Sequence, residues 1–80
     1  MKITVTQRDI ERGSKFHCTR CPVARAIRRK LNCRLEVFCT YGLLFNPKQY
    51  FKIPSIASIF IKDFDNEKPV RPFSFELKVK

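Results

Sequence analysis

From Lys15 to Arg34 the chain places Lys15, Arg20, Arg25, Arg28, Arg29, Lys30 and Arg34 in a window that holds no carboxylate between Glu11 and Glu36. No acid near in sequence neutralises these cations. Arginine dominates the set, and a guanidinium grips a phosphate or carboxylate through two parallel hydrogen bonds where an ammonium offers a point charge. The window therefore predicts a surface for a polyanion, either nucleic acid or the acidic face of a protein. A solvated helix face kept basic for solubility is the plainer alternative. The wider charge pattern favours the patch. Residues 1 to 34 hold ten basic and two acidic residues, net +8, whereas residues 35 to 80 hold seven and five, net +2.

Four cysteines, Cys18, Cys21, Cys33 and Cys39, offer a second chemistry. Two thiolates at C-x-x-C spacing can share a zinc ion, and the other pair could complete a tetrahedral site, with His17 as a substitute ligand. The second pair is not itself a C-x-x-C knuckle, and Cys39 alternates with Leu35 and Val37, where a free thiol acts as a small hydrophobe. The reading therefore favours a core without metal, keeps these four cysteines as the zinc set if zinc is present, and ranks disulfides last. Cys21 at a helix start invites a redox reading, since a helix N-terminus lowers a thiol pKa. Against it, Pro22 follows the second cysteine, and a long loop separates Cys18 from the strand at Ile3.

The remaining candidates have ordinary explanations. His17 is the single histidine, and its neighbour Cys18 points to the opposite side of an extended segment, so no catalytic pair is expected. Asp63, Asp65 and Glu67 cluster near Lys62 and Lys68 in turn-like sequence. Phe38, Phe45 and Tyr50, interleaved with Lys48 and Lys52, could stack on bases if they lie on an outer sheet face, although core packing explains each one singly. No motif announces a reaction, and no enzyme is expected.

The elements that position these residues follow from periodicity. Ile3 and Val5 alternate as a short strand. Thr6 to Asp9 has capping-box spacing, and Gly13 ends a brief helical turn. Ser14 to Arg20 is loop. A helix over about 22 to 31 starts at Cys21-Pro22 and stops at Asn32, with Val23, Ala24, Ile27 and Leu31 on one face and Arg25, Arg28 and Arg29 on the other. A strand follows, with Leu35, Val37, Cys39 and Tyr41 on one side and Arg34, Glu36, Phe38 and Thr40 on the other. Leu43 to Phe45 can resume it after Gly42. Asn46-Pro47-Lys48 turns the chain into a further strand at Gln49 to Ile53. Pro54 opens a helix to about Phe64 with Ile56, Ile59, Phe60 and Phe64 at helical spacing, a strand being the alternative. After a turn at 65 to 69, Phe73, Phe75, Leu77 and Val79 alternate with polar partners as a terminal strand.

Three pieces of the chain stand together: Val5-Thr6-Gln7-Arg8-Asp9-Ile10 with Gly13, the block Cys18-Thr19-Arg20-Cys21-Pro22-Val23-Ala24-Arg25-Ala26, and a tail in which Phe60-Ile61-Lys62-Asp63-Phe64-Asp65 precedes Pro69-Val70-Arg71-Pro72-Phe73-Ser74-Phe75-Glu76-Leu77. In these pieces the chain resembles a group of small uncharacterised bacteriophage-encoded proteins. Arg34 to Lys52 lies outside the likeness. The resemblance implies a phage origin and an accessory role during infection, and it supplies no activity.

Eighty residues suit one domain, 1–80, below the size at which a deep enzyme cleft is common. The expected class is α+β: a small sheet of three to four mainly antiparallel strands with two helices on one face, a ferredoxin-like β-α-β-β-α-β order being the first candidate. A formal charge of +10 excludes mimicry of DNA, and 44% apolar residues exclude a disordered basic tail. No apolar run suggests a signal segment or a membrane span, so the bacterial host cytoplasm is the expected compartment. The expected function is non-enzymatic binding of nucleic acid or a nucleoprotein complex through the Arg-rich helix. The alternative is a protein-binding effector that modulates a host enzyme by docking on an acidic surface.

Overall fold

The computed structural model describes residues 1–45 and 48–78. The order is β1 (Lys2–Val5), α1 (Gln7–Arg12), α2 (Pro22–Leu31), β2 (Leu35–Val37), β3 (Tyr41–Leu44), β4 (Gln49–Lys52), α3 (Ser55–Asp65) and β5 (Phe73–Glu76). The α+β class stands. The strands, however, form two antiparallel sheets rather than one: β1 pairs with β5, and β2, β3 and β4 form a meander. A ferredoxin-like sheet needs the first strand beside the later hairpin. Here β1 takes β5 alone, with Ile3 opposite Phe75 and Val5 opposite Phe73. Helix α2 contacts β1, β2, α1 and α3, and so bridges the two sheets.

Local chemistry sets the helix ends. Thr6 caps α1 through its side chain, and Asp9 returns the bond to the Thr6 N–H at 2.9 Å, a complete capping box. The Cys21 sulfur accepts from the Ala24 N–H at 3.3 Å, Pro22 occupies the first turn, and Asn32 stops α2 in the left-handed region at φ 52°. In α3 the helix reading prevails, but the buried stripe is Ala57, Phe60, Ile61 and Phe64. Ile56 and Ile59, expected to face inward, are exposed. The observed set repeats at i, i+3, i+4 and i+7, a single stripe facing the core.

The expected strand from Leu35 through Tyr41 breaks after Val37. Phe38 N–H donates to the Tyr41 carbonyl at 2.8 Å, so the chain reverses over Cys39 and Thr40, and Tyr41 opens β3 on the exposed face. Cys39 accordingly leaves the row of Leu35 and Val37. Alternation hides this turn because Cys39 and Thr40 continue the pattern and carry no Gly, Pro or Asn signal. On the inner face Gly42 sits opposite Phe51, and a Cβ there would overlap the Phe51 ring. Residues 46 and 47 of the expected turn lie outside the described residues, as do Val79 and Lys80 of the expected terminal strand. Leu77 is fully buried, and its N–H extends the β1–β5 pairing to the Met1 carbonyl at 2.9 Å.

The core joins Ile3, Val5, Phe75 and Leu77 of one sheet to Leu35, Val37 and Phe51 of the other through Val23 and Ile27 of α2 and Phe60, Ile61 and Phe64 of α3. Phe60 and Phe73 pack with ring centroids 4.7 Å apart.

Candidate nucleic-acid interface

Helices α1 and α2 lie in contact, with one fully buried carboxylate between them. Asp9 accepts two hydrogen bonds from Arg29, from Nη1 and Nη2, each at 2.8 Å. Arg29 Nη2 also donates to the Thr4 carbonyl at 2.9 Å. The Arg25 Nε is buried without a hydrogen bond and lies 3.5 Å from Asp9 Oδ1. Burial alone raises the Asp9 carboxyl pKa, but the Arg29 guanidinium, the Thr6 N–H and the Thr6 hydroxyl outweigh it and hold the carboxyl below its ordinary value. The hydrogen bond to Asp9 correspondingly raises Arg29. The window without a local acid thus acquires one through the fold.

Around this pair opens a polar groove of about 600 Å³ lined by Arg12, Ser14, Arg20, Arg25, Arg28, Arg29 and Asn32. Four of the expected site residues, Arg20, Arg25, Arg28 and Arg29, meet here. Arg28 Nη2 donates to the Thr19 carbonyl, which fastens the 14–20 loop to α2. The side chains of Arg12 and Arg20 line the groove and make no hydrogen bond or ion pair among the described residues, so their guanidinium donors are uncommitted. The other three expected residues sit elsewhere. Lys15 pairs with Glu67 at 2.9 Å, Lys30 lines a neighbouring cavity with Lys2, Thr4 and Arg29, and Arg34 lies 5.0 Å from the Phe45 ring centroid. Sequence reasoning missed Arg12. Its spacing of three residues from Asp9 on a capped helix puts both on one face, but only the contact of α1 with α2 joins Arg12 to the set.

The 14–20 loop is pinned by the acidic cluster at the end of α3. Asp65 Oδ1 accepts from the Phe16 N–H at 2.9 Å, and the Lys15 ammonium holds Glu67 below its ordinary pKa. These carboxylates, expected as plain turn residues, anchor the loop. Phe16 adopts φ 54° and is 79% exposed. A bulky side chain in the left-handed region costs of order 1–3 kcal/mol. Beside it lies an apolar cavity of about 290 Å³ whose walls include Phe16, Cys18, Cys21, Phe38, Cys39 and Ile61.

The cysteines do not assemble the alternative zinc site. Among the described residues no group of three or more Cys, His, Asp or Glu side chains is placed to hold a metal ion. Burial pushes the Cys21 thiol up to about 11, against the opposing pull of the Ala24 and Val23 N–H groups. The thiolate that redox chemistry requires is therefore scarce at neutral pH. His17 Nδ1 lies 3.0 Å from Thr19 Oγ1 and is engaged in a local turn.

Comparison with family models, curated proteins and solved structures found no match to this chain. Among the described residues no helix is long and apolar enough to cross a membrane.

Proposed function

We propose that this protein is a non-enzymatic, phage-type accessory domain that binds nucleic acid, or a nucleoprotein complex, in the host cytoplasm through the groove between α1 and α2. One observation carries the reading: five arginines line a single groove whose buried carboxylate, Asp9, neutralises one charge. Four net positive charges face the opening. Arginine-lined concavities take phosphates in bidentate fashion, and Arg12 and Arg20, whose side chains have no partner among the described residues, line this one with their forks free. Neutralising four phosphates gives a salt slope near −0.9 × 4, so binding weakens roughly a hundredfold between 50 and 200 mM salt.

Fluorescence anisotropy with double- and single-stranded DNA and RNA across that salt range tests the proposal. The informative variant is Arg12→Ala with Arg20→Ala, since neither side chain has a protein partner among the described residues. The expected result is a salt slope reduced by about 2. Absence of binding at low salt, or binding indifferent to both arginines, overturns it.

A protein-docking role has its own support. Ile56 and Ile59 are 54% and 60% exposed and border an apolar groove of about 300 Å³ with Pro69, Val70 and Pro72. A stoichiometric bacterial protein retained after nuclease treatment of a lysate, and lost in Ile59→Asp, favours this effector reading over the first.

A further inference from the structure

The outer face of the β2–β4 sheet carries a row of aromatic rings that the core does not use. Phe38 and Tyr41 stack with centroids 4.9 Å apart, and Tyr41 and Tyr50 lie 5.9 Å apart. Tyr41 is 42% and Tyr50 62% exposed, an unusual degree for rings whose burial would be favourable. The charges beside the row are mainly positive. Exposed Lys52 stands opposite Tyr41, and Lys48 Nζ lies 6.0 Å from the Tyr50 ring centroid. Glu36, opposite Leu43, is the carboxylate of this face. At its other end the row meets the arginine groove by way of the 14–20 loop: Phe38 and Phe16 share the walls of the apolar cavity, while Ser14 and Arg20 of the same loop line the groove.

We infer that this face is a stacking platform for the bases of a single-stranded polynucleotide whose phosphates lie on the arginine groove and on Lys48 and Lys52. The inference rests on the proposed function and sharpens it from nucleic acid to single strands. Two features select this occupant. Exposed rings offer π-faces that any unpaired base can cover, whereas duplex bases are already stacked on one another. Flanking cations match a backbone that brings one negative charge with each base. Phe16, held outward in a strained conformation at the rim between groove and row, presents its ring where the strand would pass from one to the other.

The chain contains no Trp, and both of its Tyr residues lie in this row, so intrinsic tyrosine fluorescence reports on the platform directly. Oligothymidylate and oligouridylate should each quench that emission, while inorganic polyphosphate of equal charge should bind the groove and leave the emission unchanged. Tyr50→Ala should weaken oligonucleotide binding about tenfold, within the range for loss of one stacked base, leave polyphosphate affinity within twofold, and be rescued by Tyr50→Phe. Polyphosphate and oligonucleotides binding alike, with Tyr50→Ala silent, overturns the platform and leaves the groove standing. Preference for duplex over single strand does the same. Failure of every polyanion to bind removes both. Because Tyr50 is exposed, the alanine variant is expected to fold, and matching far-ultraviolet dichroism verifies it.

Discussion

The arginine groove and the aromatic sheet face are built on opposite principles. In the groove, charge is organised around a carboxylate that water does not reach: Asp9 is completely buried, closes the capping box of α1 and receives the Arg29 fork. On the sheet face the candidate side chains stand outside the packing, and what holds them is the inner row of Val37, Leu44 and Phe51 beneath. A buried ion pair is strongly destabilised when one partner is removed, because the other charge is left behind. An exposed ring leaves little behind. Substitutions at Asp9 or at Arg29, which it pairs, should therefore change folding and binding together, whereas substitutions of the unpaired groove arginines and of the sheet face should change binding alone.

The largest effect should come from Asp9→Ala. It strands Arg29 and Arg25 and opens the capping box, and a loss of about 3 kcal/mol is expected in urea unfolding, less than for a sealed pair because Arg29 reaches solvent. An unchanged midpoint would falsify the idea that Asp9 joins α1 to α2. Next comes Gly42→Ala, which tests the packing beneath the other region. Its Cβ would overlap the Phe51 ring, and overpacking of this kind costs about 1–3 kcal/mol. Thermal unfolding that matches the parent would show that the meander can yield at Phe51.

A smaller effect separates the two regions by pH. Because the folded Asp9 pKa is lowered, its contribution is complete above the unfolded carboxyl value of about 3.9 and is lost as pH falls through the folded value. Denaturant midpoints should drop in that acid range for the parent and drop less for Asp9→Asn, whose stability no longer depends on that proton. Equal acid sensitivity in the two proteins would assign the effect to other carboxylates. The smallest stability change is expected for Arg12→Ala, within about 0.5 kcal/mol as for an ordinary surface site. The same variant should reduce the salt slope of polyanion binding by about 1, so a large loss of stability here would mean that Arg12 is structural.

Much of the local architecture was legible in the chain. The capping box, the Cys21-Pro22 start and Asn32 stop of α2, and the alternation of Phe73 to Leu77 all express chemistry between residues a few positions apart. The site was legible in part. The arginines of α2 lie on one helix and share a face by periodicity, so Arg25, Arg28 and Arg29 could be grouped. Arg12 could not be joined to them without knowing that α1 contacts α2. Lys15 could not be removed from the set without knowing that Glu67, fifty-two positions later, reaches it.

The sequence by itself determined the class of the protein, its basic character, and the identity and ends of α2, because propensity, capping and net charge are properties of neighbours and sums. Only the tertiary structure decided that β1 would take β5 rather than the meander, that Tyr41 would turn outward after a reversal at Cys39 and Thr40, and that a carboxylate from α1 would sit under the arginines of α2. Each of those outcomes depends on which apolar faces meet across long separations. The energy of bringing a distant, buried Asp9 into contact with the half-exposed Arg29 is set by the burial that packing imposes, and no count of charges along the chain contains it.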